Sequence, residues 1–339
     1  MNPQYKGTGI PDQMAAIRQH EPGGSLQVEH IPVPRPGPGQ VLVRMEASPI
    51  NPSDLALLAG GYIERSYPFT PGLEGSGTVV EAGSGLLPRL RLGKRVACSP
   101  AHGSDGTWAG YMLTSVMNVA PIPAHVSMEQ GSMMLVNPMT AVAFIQLAAE
   151  GKHRAIINNA AASSLGKMMV RLTRNRGIPL INVVRSEAQA ETLKELGAVH
   201  ILNSRSPSFA EELKSLAHTL KATLVLDAVT GSQSAVLLDA APPGSTLVVY
   251  ARLSGDPFQA DPYSLIREGK KVAGFYLADW LQDKSLLFKL RFISRVKKAL
   301  DSDLASIVNR SYPLEHAEEA IAYYRDHMSD GKVVLQIGS

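Results

Sequence analysis

Short apolar runs, each closed by glycine or proline, fill the chain from Ala15 to Gly110. Val41 to Glu46, Gly77 to Glu81 and Arg95 to Cys98 are three of them, separated by turn formers. Short strands at such spacing predict a β-barrel or sandwich, interrupted by one helix over Ser53 to Ala59. Residues 1 to about 13 carry no periodicity and read as a loose tail without an apolar signal core.

The rhythm changes after about Gly131. Ala155–Ile157, Leu180–Val184, Leu224–Leu226, Leu247–Tyr250 and Val272–Tyr276 are nearly unbroken apolar runs. Helix-like stretches lie between them: Gly166–Arg176, Ala188–Leu196, Phe209–Leu220 and Ser234–Ala240. Strands apolar on both faces that alternate with helices describe a doubly wound parallel sheet. Two further helices follow, near Ser285–Leu300 and Glu315–His327, and then a final strand, Lys332–Ile337. The expected fold class is therefore α/β, a β-rich domain joined to a Rossmann-type sheet. Its domains are residues 1–136, completed by about 280–339, and 137–279.

Composition narrows the classes of function. With 45% hydrophobic and 19% charged residues the chain is globular rather than disordered. A net charge of +3 is too small to imply a nucleic-acid groove. No apolar run reaches the ~18 residues of a membrane span; Met133–Ala149 is broken by Asn137, Pro138, Thr140 and Gln146. The single cysteine, Cys98, excludes an intrachain disulfide and a cysteine-rich zinc knuckle. A soluble protein of a reducing compartment, the cytoplasm, is expected.

The strand at Ala155–Asn158 runs through Asn159-Ala160-Ala161-Ala162-Ser163-Ser164-Leu165-Gly166 into a helix. A strand–turn–helix of this kind presents N–H groups and a helix dipole to a pyrophosphate. Only Gly166 remains of the usual glycines; Ser163 and Ser164 stand where backbone normally approaches phosphate, and their hydroxyls can substitute for that approach. The next strand ends at Arg185, 19 residues beyond Gly166. An acidic residue there would bind the ribose 2′-OH of NADH, whereas arginine suits the 2′-phosphate of NADPH. NADPH is the expected cofactor, with NADH second.

Several motifs together resemble the medium-chain dehydrogenase/reductase superfamily: Pro36–Val43, Gly72-Leu73-Glu74-Gly75-Ser76-Gly77 and Gly331–Leu335. Asn51–Asp54, Gly61-Tyr62, Gly106–Trp108, Val136–Ala141, Ile181–Arg185 and Gly274–Tyr276 are similar to its zinc-independent quinone reductases and, more closely, its mitochondrial-type 2-enoyl thioester reductases. The resemblance implies a GroES-like domain plus a Rossmann domain, a homodimer, and NADPH-dependent reduction of an activated C=C bond. It also implies the absence of zinc. The alcohol dehydrogenase branch carries a cysteine ligand where this chain has Asn51 and a histidine ligand where it has Leu73; Glu74 and Cys98 alone make no tetrahedral site. The nine histidines show no metal spacing.

Reduction of an enone or enoyl thioester places hydride on the β carbon and builds charge on the carbonyl oxygen, so a hydrogen-bond donor must hold that oxygen. Tyr62 matches the enoyl reductase tyrosine and is the candidate donor and acid. Asn51 reads locally as a helix N-cap before Pro52 and Asp54, and the resemblance adds a place facing the nicotinamide. Trp108 is expected at the floor of the substrate cleft. Thr140, Asn159, Ser163, Ser164, Gly166, Arg185, Tyr250, Tyr276 and Lys332 are the expected cofactor residues. The cations Lys284, Lys289, Arg291, Arg295, Lys297 and Lys298 read as a solvated face, or as a patch for an acidic CoA or carrier-protein substrate.

Two other functions compete. A quinone reductase needs the same hydride geometry without a dedicated proton donor. A regulatory or RNA-binding protein with little turnover is a different class, kept open by the degenerate Ser163-Ser164 loop. The apolar run Val272–Tyr276, as the last strand of the sheet, is the expected dimer edge.

Overall fold

The computed structural model describes residues 9–61 and 64–338. Among these, contacts divide the chain into two units: the residues through Val136 together with those from Ala305 onward, and Asn137–Leu304.

The first unit begins with β1 (Gln13–Gln19) and β2 (Leu26–Pro32), an antiparallel hairpin. Then come β3 (Gln40–Pro49), α1 (Pro52–Leu58), β4 (Gly75–Ala82), α2 (Leu86–Arg91), β5 (Arg95–Cys98), β6 (Tyr111–Ser115), β7 (Val119–Pro121) and α3 (Met128–Ser132). The second unit holds α4 (Asn137–Glu150), β8 (Ala155–Asn158), α5 (Ser164–Arg174), β9 (Leu180–Val184), α6 (Glu187–Glu195), β10 (His200–Asn203), α7 (Phe209–Leu220), β11 (Ala222–Asp227), α8 (Ser232–Ala240), β12 (Thr246–Val249), α9 (Pro262–Glu268), β13 (Lys271–Gly274), α10 (Leu277–Gln282) and α11 (Leu286–Lys298). The chain returns to the first unit for β14 (Val308–Pro313), α12 (Ala317–Asp326) and β15 (Lys332–Gln336).

In the first unit the strands run in the order β14-β15-β3-β4-β5-β7, with β6 also paired to β3. Alternating residues of these strands face one core: Val41, Val43 and Met45 from β3 meet Val79, Val96, Cys98, Met112 and Val333, and α12 covers them with Ala320, Ile321 and Tyr324. This is the expected β-rich domain. The return comes at Ala305 rather than near residue 280, because α10 and α11 pack on α4 within the second unit.

The second unit is a six-stranded, fully parallel sheet in the order β10-β9-β8-β11-β12-β13. The order reverses between β8 and β11, and ligands of such sheets bind at the carboxyl ends of strands flanking that reversal. Strands β8 and β9 are buried throughout, which explains their unbroken apolar text. In this unit β10, α4, α9 and α10 escape the periodicity reading. β10 is an edge strand only half-buried, and its His200 and Asn203 dilute the apolar signal. The run Met133–Ala149 covers nearly all of α4, whose buried residues surround the helix rather than forming one stripe. The last apolar run is shorter as a strand than expected: β13 stops at Gly274, and Phe275 and Tyr276 lie beyond it. No helix among the described residues is long and apolar enough to cross a membrane.

Candidate active site

Two polar constellations stand out, one in each unit. In the first, α1 starts as the sequence suggests, with Pro52 in its first turn. The Asn51 N–H donates to Asp54 Oδ2 at 2.8 Å, and the Leu73 N–H donates to Asp54 Oδ1 at 3.0 Å. The Asn51 carboxamide, however, reaches away from the helix. Its Nδ2 donates to Glu74 Oε1 at 3.0 Å, and its Oδ1 accepts from Lys332 Nζ. Glu74 Oε2 accepts two further bonds, from the backbone N–H of Leu135 (3.0 Å) and Val136 (2.9 Å). Asn51, Asp54, Glu74 and Lys332 are all buried.

Burial governs the protonation of these groups. It pushes the Asp54 carboxyl up to about 7, with the Glu74 charge adding to the rise and the two backbone N–H groups and Lys332 opposing it. It raises Glu74 as well, against the pull of Lys332 and the hydrogen bonds from Val136, Asn51 and Leu135. It lowers the Lys332 ammonium, against the attraction of Glu74 and Asp54.

Lys332 therefore lies in the first unit with its ammonium on Asn51, a placement that the motif before a final strand does not reveal. Trp108 is wholly buried in the β core instead of lining an open floor, and its indole Nε1 finds no hydrogen-bond partner among the described residues. A Cβ on Gly72 would stand 2.4 Å from Trp108 Cδ1, so that glycine admits the indole. Tyr62 lies outside the described residues. Glu74 was legible only as part of a signature, and its bonds to Asn51, Leu135 and Val136 depend on segments far apart in sequence.

The second constellation sits at the sheet reversal. Ser163 caps α5, its Oγ accepting from the Gly166 N–H at 3.1 Å. That bond leaves the Ser163 hydroxyl proton as a donor. Gly166 presses on the loop: a Cβ there would lie 2.2 Å from the Ala161 carbonyl oxygen. The helix thus starts against the strand end, as a pyrophosphate turn requires. Ser164 is half-buried in the first turn of α5, and Arg185 is exposed directly after β9. Serine hydroxyls at a helix N-terminus and an exposed guanidinium one strand away fit a phosphorylated dinucleotide.

Asn159 has a different place from a direct ligand. It is wholly buried; its Nδ2 donates to Asp227 Oδ1 at 2.6 Å and Gln233 Oε1 at 3.0 Å, and its Oδ1 accepts from the Ala228 N–H at 2.7 Å. Asp227 Oδ1 also accepts from the N–H of Val229 and Thr230, and Oδ2 accepts from Ser234 Oγ. These bonds tie the loop after β8 to the loop after β11, where Thr230 holds a φ of +65°. A β-branched residue rarely adopts that conformation, so the network sustains a strained loop beside the reversal. Asp227 was missed because a carboxylate ending an apolar run reads like any strand terminus.

The remaining expected residues fall in the same unit. Thr140 is buried in the first turn of α4. Tyr250 follows β12, its ring edge-on to Phe144 at 4.9 Å, and Phe144 also meets Phe275 at 5.0 Å. Burial raises the Tyr250 phenol, and the Asp227 charge adds to that. Tyr276 is 41% exposed at the start of α10. A cavity of about 590 Å³ opens here, lined by Val249, Phe275, Tyr276, Asp279 and Trp280 among others. Among the described residues no cluster of three or more His, Cys, Asp or Glu side chains is placed to hold a metal ion.

Comparison with known proteins agrees with this architecture. Residues 37–124 match the alcohol dehydrogenase GroES-like domain and residues 164–290 the zinc-binding dehydrogenase domain. The mitochondrial enoyl-[acyl-carrier-protein] reductase of Bos taurus is 30% identical over 290 residues, covering 83% of this chain and 77% of that protein. A crystal structure from Mesorhizobium loti, assigned as an NADPH:quinone reductase, is 31% identical with a TM-score of 0.87, covering 97% of this chain and all of that one. An enoyl thioester reductase from Candida tropicalis shares the fold at 21% identity, with a TM-score of 0.77 over 96% of this chain and 99% of that one. The chain belongs to the medium-chain dehydrogenase/reductase superfamily, in the branch of the quinone reductases and enoyl reductases. It is an oxidoreductase of that branch.

Proposed function

We propose that the protein reduces an activated C=C bond, in an enoyl thioester or an enone, with NADPH as hydride donor. The observation that carries the cofactor is the β8–α5 turn, with Gly166 against Ala161 and exposed Arg185 one strand away. NADPH supplies a hydride to the β carbon when bound; the chain supplies its placement. Ser163 and Ser164 at the start of α5 would hold the pyrophosphate, and Arg185 the 2′-phosphate. Thr140, Tyr250 and Tyr276 belong to the same unit and are proposed on the nicotinamide side. Asn159 acts one step back, by joining the two loops.

Tyr62 is proposed to donate to the carbonyl oxygen as charge builds there and to relay the proton that ends on the α carbon. Asn51 is proposed as the second polar group of the site. The enoyl reading is favoured over a quinone by the names of the curated relatives and by Tyr62, which a quinone acceptor does not require. Turnover of crotonyl thioester and of a small quinone with NADPH tests this: faster quinone turnover by an order of magnitude would reverse the choice. The buried, lone Cys98 fits a reducing location such as the cytoplasm, although the curated relatives are named mitochondrial.

Arg185→Ala is expected to weaken NADPH by roughly 1–3 kcal/mol, the worth of a charged hydrogen bond, and to leave NADH nearly unchanged. Fluorescence titration of both cofactors checks it, and equal weakening would remove the 2′-phosphate role.

The protein is also proposed to work without zinc, since Asn51 and Leu73 offer no ligand; about one zinc per chain in metal analysis would refute this. A homodimer through β13 is proposed because that edge strand is exposed along its length, its apolar Val272 included. Light scattering should give twice the chain mass, and a monomer at micromolar concentration would rule it out.

A further inference from the structure

We propose that Glu74 and Lys332 are positioning residues that lock the Asn51 carboxamide in one orientation. The inference rests on the reading of Asn51 as a polar group of the active site, and it assigns roles to two buried charges that the proposed chemistry does not otherwise use.

A carboxamide has two faces of nearly equal shape and opposite hydrogen-bonding character. At Asn51 one end meets a carboxylate, Glu74 Oε1, at 3.0 Å, and the other meets the Lys332 ammonium. A flipped Asn51 would set its NH₂ against the ammonium and its oxygen against the carboxylate. Only one orientation is bonded. In it, Nδ2 keeps one N–H beyond the bond to Glu74, and charges of opposite sign at the two ends polarise the amide so that this N–H is a stronger donor.

The lock is itself held. The Glu74 carbonyl accepts from Ser48 Oγ at 2.7 Å and Thr107 Oγ1 at 2.9 Å, so the backbone from which its carboxylate projects is pinned. The second carboxylate oxygen takes the N–H groups of Leu135 and Val136. The Lys332 backbone is fastened through its N–H to the Ile307 carbonyl at 2.8 Å. Glu74 thus holds Asn51 with one carboxylate oxygen while two backbone N–H groups fix the other. Both charged side chains are committed to the two ends of the Asn51 carboxamide, which fits a role exerted through Asn51.

The test uses the full-length protein and six variants: Glu74→Gln, Lys332→Met, both together, Asn51→Ala, and each of the two single changes in the Asn51→Ala background. Glutamine keeps the shape of Glu74 but cannot accept at both ends. Methionine keeps the stem of Lys332 without the charge. Each single change should lower kcat on the order of 10²-fold, the scale of a small misplacement of a reacting group, with KM for NADPH little changed. The double variant removes both members of the Glu74–Lys332 pair together instead of stranding one, so it should melt higher than either single variant and yet remain slow. In the Asn51→Ala background neither change should lower kcat further. Independently of turnover, the Asn51 side-chain amide, selectively labelled with ¹⁵N, should give one shifted pair of proton signals that moves toward ordinary asparagine values in Lys332→Met.

Recovery of kcat together with melting temperature in the double variant would overturn the proposal, as would undiminished losses on top of Asn51→Ala. An unshifted Asn51 signal in the wild type would do the same. If the wild type reduces quinones but not enoyl thioesters, the substrate reading fails alone, and the same comparisons, run with quinone, still decide the positioning role.

Discussion

Gly166→Ala is expected to lower the melting temperature and to weaken NADPH binding by more than tenfold. The added methyl would stand 2.2 Å from the Ala161 oxygen and 2.5 Å from its carbonyl carbon, where ordinary contact begins near 3.4 Å. The neighbours are backbone, so no rotamer change relieves the clash. Helix α5 cannot retreat cheaply, because Leu165, Met168, Met169 and Leu172 are buried beneath it. The loop after β8 must move instead, and Ala160 already holds a φ of +48°. Overpacking of this kind costs typically 1–3 kcal/mol. It also draws Ser163 away from its cap on Gly166, the geometry that aims the serine hydroxyls at phosphate. Thermal melting and cofactor titration read the two effects. A variant that melts with the wild type and binds NADPH unchanged would mean that the turn does not need this close approach.

Tyr62→Phe carries the largest expected effect on chemistry. An enoyl substrate accumulates negative charge on its carbonyl oxygen as hydride arrives, and removal of a preorganised donor to such an oxygen costs ~2.7–4 kcal/mol. Enoyl turnover should therefore fall about 10²–10³-fold. Phenylalanine differs from tyrosine only by the hydroxyl, so NADPH affinity should hold. A quinone also gathers charge on oxygen, but its reduced form is stable and solvent can deliver the protons, so quinone turnover should fall far less. Full enoyl activity in the variant would move the acid elsewhere. A joint fall of both activities and of NADPH affinity would make the tyrosine a structural loop residue.

The two constellations differ in how much of them the text of the chain reveals. The turn into α5 was readable because strand, loop and helix are consecutive: Ser163, Gly166 and Arg185 fall within one βαβ stretch, and local spacing determines their relative places. The parallel sheet was readable for a related reason. Strands buried on both faces must be apolar at every position, and β8 and β9 are. Edges were harder, since β10 meets solvent and loses that signature. The end of the second unit moved from about 279 to Leu304, because nothing in the helical text of α11 says which sheet or helix it will cover.

The apolar rhythm and the order of glycines and prolines by themselves determined a β-rich unit, a parallel α/β unit and a nucleotide-type turn. These depend on local conformation and on burial that neighbouring residues share. Tertiary structure alone decided the surroundings of Asn51, Glu74 and Lys332, which come from just before α1, just before β4 and the start of β15 and are separated by up to 281 positions. It alone turned Asn159 from an apparent ligand into a tie to Asp227, 68 residues away. A buried polar side chain is stable only where partners satisfy it, and those partners are chosen by the packing of distant segments, which no local pattern records.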